Sequence, residues 1–256
     1  MNETSLPGWV RIAAPIGVGA LGLAAWIVYV DVIGTAPRML PSPTAIGAEL
    51  VNRWGIIWDD MTITALNALI GLTVGAVIAV ILAGLAAAAR PIDGMLAPLI
   101  AALAVIPIVA ITPILNTMFG ASSQFGRQAV ATIAAFIPVF INVLRGLRQT
   151  QPVHRDLLRA SAASSGQTFR FLTLPTALPY LMTGLRIASS LAVIAALVAE
   201  YFGGPSDGIG TSIATYAKSG RAALAWAYVA AGILIGLVFY LVTAFLERLV
   251  TRRSST

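Results

Sequence analysis

The chain has 256 residues, of which 58% are hydrophobic and 10% charged, with no cysteine, one histidine and a formal net charge of +6. Soluble domains carry about 25% charged residues, so this composition excludes an ordinary soluble domain and indicates an integral membrane protein. The missing cysteines exclude disulfides and thiol nucleophiles, and the single histidine excludes a two-histidine metal site. The basic residues flank apolar segments, a pattern that fits membrane orientation rather than nucleic-acid binding.

A bilayer core takes about 20 apolar residues per helix, and a helix satisfies its own backbone there. Six windows qualify, at roughly 10–30, 61–89, 95–115, 128–147, 177–202 and 223–246. The first follows Arg11 and is longer than a signal-peptide core, with no clean cleavage site after it, so it reads as a retained span. With the N-terminus cytoplasmic, Arg11, Arg90, Arg145, Arg148, Arg155, Arg159, Arg170, Arg186, Arg248, Arg252 and Arg253 fall on the cytoplasmic side. Arg38, Arg53, Arg127, Lys218 and Arg221 face out. That asymmetry is the positive-inside pattern, and an even number of spans preserves it, with both termini cytoplasmic.

Segment 31–60 is external in this reading. Leu40-Pro41-Ser42-Pro43 breaks the chain, and Thr44 to Trp58 suits a short helix on the membrane surface, with Trp54 and Trp58 at the interface. Span two carries Gly71-x-x-x-Gly75 and span six Gly232-x-x-x-Gly236, spacings that let helices approach closely; packing within one chain is favoured over a dimer seam. Span three carries Pro98, Pro107 and Pro113, and span four Pro138. Three prolines in one span point either to an irregular helix lining a cavity or to kinks that only shape the bundle. Glu200 is the one acid inside an apolar run. It faces a substrate path or partner helix, or it reaches the external interface. Arg186, in the same span, is read as snorkelling to headgroups. The loop Gly203-Gly204-Pro205-Ser206-Asp207-Gly208 is turn-rich, and Ile209 to Ser219 suits a short surface or re-entrant helix.

Several motifs fail on context. Gly17-x-Gly19-x-x-Gly22 has no strand before it and lies inside span one, so it is packing glycine. No P-loop sequence is present to hold ATP, and His154 has no evident nucleophile beside it, so neither an ATPase nor an intramembrane hydrolase is supported. No internal repeat is visible.

The segment His154–Ile187 is the most polar and basic in the chain, and it re-enters apolar sequence through Leu174-Pro175 and Leu178-Pro179. An amphipathic helix here, joined to two spans, suits a helix-in-groove joint. Leu157, Leu158 and Phe169 would enter a partner's groove, and Arg155, Asp156 and Arg159 would set the register. Pro175 and Pro179 would fix the angle at which it meets span five. A basic loop held to anionic lipid is the plainer alternative.

Position by position the segment resembles the EAA loop of permease subunits of binding-protein-dependent ABC importers. In one register Leu174-Pro175 is the family Leu-Pro, Leu172 takes the Ile place, Ala162 the Gly place and Asp156 the Glu place, with Leu157-Leu158 for Ala-Ala. In the other, Leu178-Pro179 is the Leu-Pro, Gly166 the Gly, Ser161-Ala162 the Ala-Ala, and Ala160 replaces Glu. The first is preferred because it keeps an acid at the acidic place and aligns Leu-Pro-Thr-Ala-Leu-Pro with the tail of nitrate/sulfonate/taurine-type permeases. Leu40-Pro41-Ser42-Pro43, Ile106-Pro107…Thr112-Pro113 and Val198-Ala199-Glu200-Tyr201-Phe202-Gly203 resemble the same subfamily, over roughly residues 40–250.

The resemblance implies an all-α membrane protein of the type I ABC importer permease fold, with six transmembrane helices and a cytoplasmic coupling helix between spans four and five. It divides into the first span and external segment (1–60), a five-helix core (61–250) with a coupling loop at 149–175, and a cytoplasmic tail (251–256). The implied partners are a dimer of ATPase subunits, a second permease copy, an external binding protein and the lipid of a bacterial inner membrane. The chain itself holds no catalytic residue, metal or cofactor; ATP and magnesium belong to the ATPase. The expected ATPase-coupling residues are Arg155, Asp156, Leu157, Leu158, Arg159, Ala162, Gly166, Phe169 and Pro175. Candidate path residues, chosen as polar groups and kinks on spans three to five, are Pro107, Thr112, Asn116, Asn142, Ser189, Ser190 and Glu200. The substrate is a sulfonate-, nitrate- or taurine-like anion or a small organic molecule such as a pyrimidine precursor. An ion-coupled secondary transporter using Glu200 is the alternative.

Overall fold

The computed structural model describes residues 8–34, 40–120 and 122–253. Among the described residues there are eleven α-helices: α1 Gly8–Ile27, α2 Pro43–Asn52, α3 Trp54–Ala88, α4 Arg90–Val105, α5 Ile108–Phe119, α6 Phe125–Arg148, α7 Pro152–Ala160, α8 Ser165–Thr168, α9 Leu174–Tyr201, α10 Ile209–Lys218 and α11 Ala222–Arg253. Two π-turns extend helices, Val28–Val32 after α1 and Phe169–Thr173 before α9. Five helical stretches among the described residues are long and apolar enough to cross a membrane, and the pair α4–α5 makes a sixth if counted as one span. Of the orienting arginines, Arg38 lies outside the described residues, and so does the end of the tail, 254–256; residues 251–253 continue α11.

The three-proline span is broken rather than kinked. α4 and α5 meet at 96°. Ile106 is extended (ψ 122°) because the residue before a proline is pushed out of the helical region, and Pro107 has no N–H with which to continue the helix. Pro98 and Pro113 are absorbed inside their helices. The surface helix expected over Thr44–Trp58 is shorter. α2 starts on Pro43, with the Ser42 hydroxyl accepting from Ala45 N at 3.3 Å, and ends at Asn52; Trp54 already begins span two. Helix α10 stands where a short surface or re-entrant helix was expected.

Helices α3, α6 and α9 form the centre, with α11 and α10 against α9 and α5 against α6. The seam is built from small side chains: Ala68, Ala79 and Ala83 of α3, Ala131, Ala134 and Ala135 of α6, and Ala188, Ala192 and Ala196 of α9 are all buried. Gly71 lies directly on Ala131, and a methyl placed on Gly75 would stand 2.6 Å from the Thr132 carbonyl oxygen. These two glycines therefore serve packing inside one chain, where the absence of a side chain lets two backbones meet. Helix α1 touches the bundle near its C-terminal end, where Trp26 meets Trp226 edge-on at 5.6 Å. Its face from Ile16 to Leu23 is exposed.

Candidate functional site

Two polar regions stand at opposite ends of the bundle. The first is the connection between α6 and α9. Helix α7 buries none of its residues; Leu157 is 64% exposed and Val153, Arg155, Asp156 and Arg159 are exposed around it, while Leu158 is half-buried. Arg159 and Asp156 approach at 3.4 Å, an exposed pair that contributes little stability. The helix ends in a Schellman turn: Ala163 N donates to Leu158 O at 2.9 Å and Ala162 N to Arg159 O at 3.0 Å. The residue at its left-handed position is Ala162, with φ +55°, the one non-glycine residue at positive φ among those described. Gly166 lies inside α8, with open space where a side chain would go.

A capping box opens α8: Gln167 N donates to the Ser164 hydroxyl at 3.3 Å, and Ser164 N to Gln167 Oε1 at 2.7 Å. Ser164-Ser-Gly-Gln167 is a legible signal for this box, which the sequence reading passed over. From Ser165 the chain is helical without a break to Tyr201. The Phe169–Thr173 π-turn, closed by Leu174 N onto Phe169 O, absorbs the hydrogen-bonding gap ahead of Pro175. The second half of the expected loop is thus an extension of span five, carrying exposed Phe169, Phe171 and Pro175. A groove of about 290 Å³ runs between Arg155, Arg159, Ala163 and Phe169.

The second region gathers around the N-terminus of α10. A helix start leaves its first N–H groups without partners. Here other helices supply them: Gly208 N donates to Asp60 Oδ1 at 2.9 Å, Ile209 N to the Thr64 hydroxyl at 3.0 Å and Gly210 N to Glu200 Oε2 at 3.0 Å. The Thr64 hydroxyl also donates to Glu200 Oε2 at 2.8 Å. Two carboxylates thus sit at the positive end of the α10 dipole, where negative charge is favoured. Glu200 is buried inside the chain and does not reach the external interface.

Beside it Arg127 is wholly buried, with 0% side-chain exposure. It donates to Asp207 Oδ1 at 2.7 Å, Pro205 O at 2.6 Å, the Thr211 hydroxyl at 3.0 Å and Gln124 Oε1 at 3.1 Å. Asn67 and Gln128 extend the network. Arg127, placed by the sequence at the external end of span four, points into the protein and pins the Gly-Pro loop to α6. Its partner Asp207 is 80 residues away and is the only acid of that loop, which was the available signal. Arg186 likewise pairs with Glu247 of α11 at 2.8 Å, an engagement within the bundle that the snorkelling reading lacked.

The remaining path candidates do not converge on one cavity. Pro107 is exposed at the α4–α5 break. Thr112 is buried and donates to Ile108 O; Asn116 is buried and donates to Ala199 O at 3.3 Å. Asn142 bonds back to Pro138 O, and Ser189 is within 3.0 Å of the Thr243 hydroxyl. Ser190 borders a separate, mostly apolar groove between α9 and α11. No group of three or more His, Cys, Asp or Glu side chains able to hold a metal occurs among the described residues.

Comparison with known proteins adds a family. Residues 71–256 match the family described as "Binding-protein-dependent transport system inner membrane component". A probable ABC transporter permease protein of Haemophilus influenzae is 31% identical over 78% of this chain and 81% of its own length. The formylaminopyrimidine transport permease protein ThiX of Halalkalibacterium halodurans is 32% identical, covering 72% of this chain and 73% of that one. Among solved structures, a chain of an amino acid ABC transporter solved with histidines superposes with a TM-score of 0.64 at 14% identity, over 78% of this chain and 96% of the other. At that identity the likeness is one of fold.

Proposed function

Because the chain belongs to the family of inner-membrane components of binding-protein-dependent transport systems, we propose that it works as a homodimer driven through α7. The protein is a multi-pass ABC importer permease that passes small solutes, and ATP hydrolysis is the task of a separate subunit. An ATPase and an external binding protein are its partners. Coupling to ATP replaces the ion-coupled alternative, and Glu200 is already engaged in capping α10.

In the proposed mechanism the six spans place both termini and α7 in the cytoplasm. Closure of the ATPase dimer pushes α7, whose exposed Leu157 and flanking Arg155, Asp156 and Arg159 enter a groove on the ATPase. The push reaches span five through the continuous helix from Ser165 to Tyr201. The observation that carries this reading is Ala162. The family places a glycine there in the first register, and the backbone at that position is left-handed, the conformation that glycine tolerates best. Gly166, the glycine of the second register, is helical and has no such need.

For substrate, Arg127, buried in the bundle, and Arg148 and Arg186, partly exposed on α6 and α9, each pair with a carboxylate. That neutralisation favours an uncharged solute over a sulfonate-like anion, in keeping with the formylaminopyrimidine named for ThiX.

The test is the double variant Asp156→Arg, Arg159→Asp in the assembled importer. It should co-purify less ATPase and lose binding-protein-stimulated ATP hydrolysis, while thermal unfolding of the permease stays unchanged because both side chains are exposed. Normal uptake and ATPase recovery in that variant would remove α7 from the coupling role.

A further inference from the structure

Near the C-terminal end of α11, that helix and α9 enclose a recess of about 560 Å³ whose lining includes Arg186, Tyr240, Phe245, Glu247 and Arg248. Arg186 Nη1 meets Glu247 Oε2 at 2.8 Å, and the Thr183 hydroxyl donates to Glu247 Oε1 at 2.7 Å. Both carboxylate oxygens are therefore engaged, which holds Arg186 in place beside the Tyr240 ring, 5.9 Å from its centroid. A guanidinium has five donors, so Arg186 keeps others to offer after this pairing. Arg248 is exposed on the same lining and makes no ion pair among the described residues. Two arginines against one carboxylate leave the recess with one net positive charge.

The surface leading to the recess is apolar. Leu234, Leu237, Val238, Leu241 and Phe245 of α11 are exposed, and on a helix of 32 residues they make a lipid-facing surface. An apolar surface ending in a cationic recess matches a molecule with acyl chains and a phosphate. We propose that this recess binds the headgroup of an anionic phospholipid. Arg248 and the free donors of Arg186 hold the phosphate, and the acyl chains lie along Leu241 and Phe245. Continuity with the lipid-facing surface favours a membrane lipid over free phosphate as the source of the anion. An exposed arginine near a charged membrane surface is worth about fivefold in affinity for anionic lipid.

The experiment uses the purified full chain in detergent and follows bound lipid by native mass spectrometry and thermal unfolding. The three probes are dioleoylphosphatidylglycerol, dioleoylphosphatidylcholine and inorganic phosphate. Phosphatidylglycerol should remain bound and raise the unfolding midpoint, and added salt should weaken it; the other two probes should do neither. Arg248→Gln should lower phosphatidylglycerol affinity about fivefold, and Arg248→Lys should restore most of it. If Arg186→Gln alone unfolds the chain, the pair Arg186→Gln, Glu247→Gln leaves the net charge of the recess unchanged and should still weaken binding. Equal binding of phosphatidylcholine, an equal effect of inorganic phosphate, or unchanged affinity in Arg248→Gln would each overturn the proposal.

Discussion

Ala162 holds a backbone conformation that its own side chain opposes. At φ +55° the Cβ crowds the following carbonyl, which costs an L-residue about 1–2 kcal/mol and costs glycine almost nothing. The Schellman hydrogen bonds of Ala162 and Ala163 hold it there. Ala162→Gly should therefore firm the end of α7, slowing hydrogen exchange of the Ala162 and Ala163 amides about fivefold. Unchanged exchange would mean that the turn carries no strain. The sequence set this residue at the family's glycine place in one of two registers and left its geometry open, because a φ angle is not written in composition or spacing. Arg127 shows the opposite limit. A basic residue at a span's edge looks like an interface charge, and only the fold brings it to Asp207.

At the scale of elements, the apolar runs were legible as spans, whereas the three prolines pointed only to an irregular or kinked helix and not to the 96° break at Ile106–Pro107. The loop ahead of span five was less so: the two Leu-Pro steps suggest an angle, whereas a π-turn keeps the helix running. Helix α10 was visible as a short helix, but its anchoring was not, since Asp60, Thr64 and Glu200 come from distant spans. That anchoring assigns Glu200 to holding α10. Glu200→Gln keeps an oxygen for Gly210 N and the Thr64 hydroxyl and gives up only a charge at the α10 dipole, so it should cost at most about 1 kcal/mol and leave ATP-driven uptake near normal. Glu200→Ala strands buried donors and should cost about 2–3 kcal/mol. Thermal unfolding and uptake, measured together on both variants, separate the roles. A well-folded Glu200→Gln chain that no longer transports would return Glu200 to the path.

For the whole molecule, the decisive surface is the one this chain leaves uncovered. Non-helical backbone at membrane depth is tolerated where protein buries it or water fills a cavity, and not where lipid touches it. The α4–α5 break violates that rule in a single copy: Ile106 and Pro107 are exposed, and Val105 before them is 80% exposed. Helix α5, with 12 residues, is also too short to cross the bilayer core of about 30 Å alone. A second copy facing this break across a two-fold axis would cover it and enclose a wet path between the two α5 helices. It would also explain why the polar candidates of one chain surround no cavity of their own. These 256 residues contain no cysteine, so Val105→Cys introduces a single thiol among them. In membranes holding the assembled importer, mild oxidation should convert that variant to a cross-linked dimer on a denaturing gel, and substrate with ATP should change the yield as the path alternates. A chain that stays monomeric on the gel while the complex transports normally would place the break away from the two-fold axis and would require another element to cover it.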